Sequence, residues 1–151
     1  MDLQTREHRF DIPLLTQRMQ DATTWVSAQP ELLHMPVGYF GASTGSAAAL
    51  IAAARLGERI AAVVSRGGRP DLAGSAALAA VKAPTLLIVG GADHGVVELN
   101  EDAYGHLQCE KRMAIVSDAT HLFEERGALE QISQLAALWF TGHMVPAEHP
   151  A

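Results

Sequence analysis

The chain has 151 residues, 48% of them hydrophobic and 19% charged, with a formal net charge of −6. That length holds one domain with a real core and is short for two. The composition excludes a disordered chain. The acidic balance argues against nucleic acid as a partner, because phosphate binding needs clustered Lys and Arg. No apolar run reaches the roughly 20 residues of a bilayer span, so no membrane role is expected.

The first ten residues, "MDLQTREHRF", are too polar for a secretory signal and read as an N-terminal arm. Asp11 can cap a helix that has Pro13 in its first turn. Leu15, Met19, Ala22 and Val26 recur at helical spacing, with Trp25 beside them, and predict its apolar face. Pro30 ends this helix near Gln29. "MPVGYFG" follows as a short strand. Ser43 to Leu56 is apolar nearly all round, which predicts a buried helix, and Gly57 suits its C-terminus.

"RIAAVVS" (59–65) is a second strand without polar alternation, as expected of a strand covered on both faces. "RGGRPDLAGS" is a loop, and Ser75 to Val81 a short helix. "PTLLIVGG" (84–91) is the clearest strand, Glu98 to Leu107 a helix, and "KRMAIVSDA" (111–119) a fourth strand. Leu129, Ile132, Leu135, Ala136 and Trp139 mark a last helix, and residues 144–151 form a loose tail. Residues 11–143 thus read as one α/β domain: about four parallel strands with helices on both faces.

In open parallel sheets the working groups sit at the carboxyl ends of strands. Here those ends carry Ser43 in "GASTG", then Arg66, Arg69 and Asp71, then Asp93 and His94 in "GGADHG", then Asp118 and His121 in "SDATHLF". A serine, an acid and a histidine therefore share one rim. A serine hydroxyl is a poor nucleophile until an imidazole accepts its proton, and a carboxylate that holds the imidazole completes the chemistry. Small residues at 41, 42 and 45 let a strained strand-to-helix turn present the serine. The helix that follows favours negative charge near Ser43, and the Thr44 N–H can donate to it. Taken alone, Ser43 reads equally well as a helix N-cap.

Three segments carry a resemblance. "GYFGASTG" resembles the nucleophile elbow of the α/β-hydrolase family, "PTLLIVGGADHGV" its acid-bearing strand and turn, and "DATHLFEERGALEQI" its histidine loop and final helix. The order Ser43, Asp93, His121 is that of the family, and the chain is most similar to its dienelactone-hydrolase-like branch. The resemblance implies a serine esterase acting on small carboxylic esters through an acyl-enzyme, with Ser43, His121 and Asp93 catalytic, Thr44 an oxyanion donor and no cofactor. Ser43 stands where dienelactone hydrolases carry cysteine, which points to ordinary ester hydrolysis.

The family has about eight strands, and the four here correspond to its C-terminal half. The leading strands are missing, and with them the loop that carries the second oxyanion donor. That leaves a natural short form or a fragment as alternatives. It also places "PVGYF" at an uncovered apolar sheet edge, which predicts a homodimer or larger homo-oligomer. Residues 1–10 folding over the site, or a second subunit, are the candidate sources of the second donor.

The remaining polar residues divide as follows. Asp71 is the substitute candidate for the acid, and Asp118 supports the loop. His94, Val96, Leu122 and Phe123 are possible pocket residues, though Leu122, Phe123 and Val96 read equally as packing. Arg66 and Arg69 read as solvated loop charges, with a substrate carboxylate as the alternative. The other histidines, His8, His34, His106, His143 and His149, show no metal-ligand spacing, so no metal is expected. Cys109 is a lone cysteine with no internal partner and reads as a passive, partly buried thiol, so a reducing, cytoplasmic compartment is expected. "GYFGASTG" is neither GxGxxG nor a phosphate loop ending in GK[ST], which sets nucleotide binding aside. Two rival functions stay open: a non-catalytic binding module derived from a hydrolase, and a thioesterase or acyltransferase using the same residues.

Overall fold

A computed structural model describes residues 10–145. All but the last residue of the expected N-terminal arm, and all but the first two residues of the expected tail, lie outside the described residues. Helix α1 (Ile12–Ser27) leads into strand β1 (Val37–Ala42), helix α2 (Thr44–Leu56) and strand β2 (Ile60–Arg66). Helix α3 (Ser75–Ala80), strand β3 (Thr85–Gly90), helix α4 (Val96–His106), strand β4 (Lys111–Val116) and helix α5 (Ala128–His143) complete the order. The strands form one parallel sheet in the order β1-β2-β3-β4. This is the expected α/β architecture, with each boundary within a few residues of the sequence reading.

The two sheet faces are filled differently. One carries α1 to α4 around a core of Tyr39, Leu50, Ile60, Val63, Leu78 and Leu87. Among the described residues the other is covered by α5 alone, whose Ala128, Ile132 and Ala136 meet Val64, Ile88 and Phe123. Strand β3 is buried at every position, which is why its sequence is an unbroken apolar run. Helix α2 is the apolar rod its composition predicts: Ser46 to Leu50, Ala52 and Ala53 are all buried. Alanine suits this position because a small side chain lets a helix lie close to both sheet and neighbouring helices, and its helix propensity is the highest.

Helix α1 begins as predicted, with Asp11 Oδ1 accepting from the Leu14 N–H at 3.1 Å. Its buried face is different from the expected one. Thr16 and Thr23 are the buried residues, while Trp25 is 64% exposed and Ala22 is exposed. The apolar stripe of Leu15, Met19, Ala22 and Val26 instead flanks β1. There it lines two adjoining cavities of ≈ 290 and ≈ 280 Å³ that share Met19 and Phe40. The reason is topological. β1 pairs only with β2 among the described residues, so the stripe faces the outer edge of the sheet, where Phe40 is 49% exposed. Leu129 likewise marks α5 without entering the core: it is exposed, and Ala128 takes the inward position. Met144, read from sequence as the start of a loose tail, packs its sulfur against Gly38.

Tyr39 anchors α1 to β1. The Thr23 hydroxyl donates to the Met19 carbonyl at 2.7 Å, so it accepts from the Tyr39 hydroxyl. Burial is the main influence on that phenol and pushes its pKa above the ordinary value, against smaller opposing effects of Thr23 and Arg59. A group whose folded pKa is raised contributes stability that is complete below about pH 10 and lost as pH rises through the folded value. Thermal midpoints followed from about pH 8 to about pH 11 should therefore fall in wild type, and less steeply in Tyr39→Phe. Phe123 is fully buried between β2 and α5. Truncating it to Ala should cost about 3–5 kcal/mol in urea denaturation, the usual range for emptying a buried aromatic site.

Candidate active site

The turn from β1 into α2 holds Ser43 at φ 50°, ψ −129°, a conformation few non-glycine residues adopt. The chain is forced into it because β1 and α2 lie almost in contact. A Cβ on Gly41 would sit 2.7 Å from the Gly45 carbonyl oxygen and 2.9 Å from Ser46 Cα. Gly45 differs from the expectation of a matching constraint: a Cβ there would meet nothing within 4 Å. It borders the open groove along β1, where the described residues place no neighbour.

The strained turn is braced from the β2 side. The Ser43 carbonyl accepts from the Ser46 N–H at 3.1 Å and from the Arg69 N–H at 3.0 Å. Gly68 passes so close to Ser46 and Ser65 that a Cβ would overlap both hydroxyls, which bond each other at 2.8 Å. The fully buried Asn100 of α4 then donates to the Gly68 carbonyl at 3.1 Å and to the Val96 carbonyl at 2.9 Å. Nothing in the sequence reading singled out Asn100. A lone asparagine among the charged residues of α4 carries no motif.

The hydroxyl that this turn presents lies 3.1 Å from His121 Nε2. On the other side of the ring, His121 Nδ1 is 2.9 Å from Asp93 Oδ2. A carboxylate only accepts, so Nδ1 carries the proton and donates it to Asp93. A neutral ring then has Nε2 free to accept from the Ser43 hydroxyl. The three residues come from the ends of β1, β3 and β4, separated by 78 and 28 positions in the chain. Asp93 is well shielded, with 13% of its side chain exposed, while His121 keeps 43% exposed.

The other rim residues fall elsewhere. Asp71 receives both ends of the Arg69 guanidinium, Nε at 3.0 Å and Nη2 at 2.9 Å, while the carboxylate on His121 is that of Asp93. The bond to Asp71 is also what chiefly raises the pKa of Arg69. The Arg66 guanidinium lies 5.7 Å over the ring of Phe123. Asp118 is exposed at φ 61° at the start of the histidine loop. Of the possible pocket residues, His94 and Leu122 are exposed, Val96 opens α4 and is partly buried, and Phe123 is buried. Phe123 is therefore a packing residue beneath His121, with Gly67 held against both. Cys109 is half-buried, and burial raises its pKa, which keeps it a thiol. His143 bonds the Trp139 carbonyl at 2.9 Å and pairs with Glu110. Among the described residues no cluster of three or more His, Cys, Asp or Glu could hold a metal ion, and no helix is long and apolar enough to cross a membrane.

Comparison with known proteins places the fold. No family model matches the chain. A solved dienelactone hydrolase from Anabaena variabilis is 57% identical, with a TM-score of 0.93 over 95% of this chain and 66% of its own. A dienelactone-hydrolase-like promiscuous phosphotriesterase from metagenomic libraries has the same fold at 18% identity. Its TM-score is 0.74, covering 95% of this chain and 67% of its own. Two Mycobacterium tuberculosis proteins with the provisional name phosphoribosyl transferase are 54% identical over 139 residues. Those residues are 92% of this chain and 31% of each relative, so the chain spans about a third of the curated relatives it matches. By this likeness of sequence and fold the chain belongs to the α/β-hydrolase family, on the dienelactone-hydrolase-like branch, and its described residues form four parallel strands.

Proposed function

We propose that the protein is a serine esterase that hydrolyses small carboxylic esters through an acyl-enzyme. The observation that carries this reading is the continuous line from Asp93 through His121 to a serine held in a strained turn. In the proposed reaction Ser43 Oγ attacks the acyl carbon as its proton passes to His121 Nε2. The negative charge that forms on the carbonyl oxygen falls at the N-terminus of α2, where the Thr44 N–H donates to it. Collapse of the tetrahedral species expels the alcohol, which takes the proton back from His121. Water then enters by the same route and releases the acid and the free serine. Asp93 keeps the ring in the required tautomer and stabilises the imidazolium. None of these steps calls for a cofactor.

The phosphoribosyl transferase name belongs to proteins of which this chain spans 31%, and the elbow has no phosphate-loop ending. Ester hydrolysis is the better-supported chemistry for this segment. Thioester cleavage and acyl transfer would use the same steps with a different leaving group or acceptor.

The edge of β1 that no described strand covers belongs to the same proposal. The edge and the groove beside it make one apolar strip, and a second copy presenting the same strip would bury both. That groove reaches Ala42 and Gly45, so a docked copy lies beside the elbow and can supply a second oxyanion donor. We propose a homodimer or larger oligomer assembled there.

Two measurements test these statements. Hydrolysis of short p-nitrophenyl esters should drop about 10⁴-fold or more in Ser43→Ala and about 10⁴-fold in Asp93→Asn. Equal rates for wild type and Ser43→Ala remove Ser43 from the mechanism. Light scattering at micromolar concentration should return at least twice the chain mass, and Phe40→Lys should lower it; a stable, active monomer rules the assembly out.

A further inference from the structure

His121 stands in the middle of residues 117–127, between β4 and α5, with 43% of its side chain exposed. An exposed side chain on a loop has no intrinsic reason to keep one position, yet its two ring nitrogens meet partners at 2.9 and 3.1 Å. Something in the loop has to fix the backbone that carries it. The Phe123 side chain below is one anchor.

The second anchor lies at Thr120, immediately before His121. Glu125 Oε1 accepts from the Thr120 N–H at 2.9 Å, and Glu125 Oε2 accepts from the Thr120 hydroxyl at 2.7 Å. The Thr120 carbonyl accepts from the Phe123 N–H at 3.0 Å, and the Glu125 carbonyl from the Ala128 N–H at 3.0 Å at the start of α5. Every polar group of Thr120 is therefore engaged, two of them by one carboxylate. The histidine sits inside a closed ring running from residue 120 to residue 125.

We propose that Glu125 is a positioning residue for His121. Its carboxylate clamps the Thr120 amide and hydroxyl and so sets the reach of the imidazole between Asp93 and Ser43. The proposal rests on the esterase reading only for what the imidazole does. The chemistry of the clamp is specific to glutamate. An ionised carboxylate accepts at both oxygens and so matches two donors, and the two Thr120 bonds hold this carboxyl below the usual range. Glutamine would turn an NH₂ towards one of the donors, and aspartate is a methylene short.

The competing explanation is that Glu125 only favours the start of α5, as acidic residues near helix N-termini do. The two are separated on the full-length chain carrying Glu125→Ala, Glu125→Gln, Thr120→Val and the Gln/Val double variant. Two signals are read: the Nδ1–H proton of His121 in histidine-labelled NMR, and the rate of fluorophosphonate labelling of Ser43. Both are taken at the same interval below each variant's own melting point. A clamp predicts a broadened or lost Nδ1–H signal in Glu125→Ala and labelling slower by roughly 10–100-fold, the range expected when a reacting group is misplaced by about an ångström. Gln and Val should lose less, and together no more than the larger single loss, because each breaks the same ring. Wild-type signal and labelling rate in Glu125→Ala, with only the melting point lowered, overturn the proposal. Should Glu125→Ala not fold, the Gln and Val pair decides by the same criteria. The NMR signal needs no turnover. A wild-type protein that keeps this proton but takes up no fluorophosphonate overturns the esterase reading, and the response of the proton to Glu125→Ala then decides the role of Glu125.

Discussion

The close passage of β1 over α2 at Gly41 is the constraint from which the site follows. With only 2.7 Å between a would-be Cβ and the Gly45 carbonyl, the chain must reverse within one residue, and Ser43 takes the positive φ that the reversal demands. Such a conformation costs of order 1–3 kcal/mol and persists only where its surroundings hold it. Here they do so through the Ser43 carbonyl, which receives two amides, one from α2 and one from the loop after β2. That loop is fastened in turn to α4 by Asn100. The helix that follows the acid turn thus supports the turn that bears the serine.

The sheet supplies the other half of the arrangement. Parallel strands in the order β1-β2-β3-β4 bring all four carboxyl ends to one rim, so residues 78 positions apart can meet. Distance along that rim decides which groups pair. Asp71 follows β2, the neighbour of β1, and is taken up by Arg69 two residues earlier. Asp93 follows β3 and lies under the loop that leaves β4. Ala92 N–H bonds the Ala119 carbonyl at 2.9 Å, which ties the acid turn to the base of the histidine loop.

The small residues of the chain give the fold its compactness and leave one side of it open. Alanines along α2 let α1, α3 and the sheet close around a single helix. Among the described residues, the same economy leaves β1 with one neighbour and α5 alone on its face. The result is a serine-bearing turn that is tightly packed towards β2 and bare towards the groove, a contrast visible in its two glycines: Gly41 has no room for a side chain and Gly45 has ample room.

The sequence by itself determined the succession of elements and the identity of the groups at the rim. Apolar runs, Asp11 at a helix start, Pro30 after a helix end and "GASTG" between a strand and a helix are local signals, set by backbone geometry over a few residues. What only the tertiary structure decided depends on partners far away in the chain. It put Asp93 rather than Asp71 on the imidazole, and turned Thr16 and Thr23 of α1 inward while its apolar stripe lay along an open edge. It sank Phe123 into the core, and it closed Glu125 onto Thr120. Periodicity reports which side of a helix is apolar, but not what stands opposite it. Strand order and register fix that, and they are settled only when the whole sheet forms.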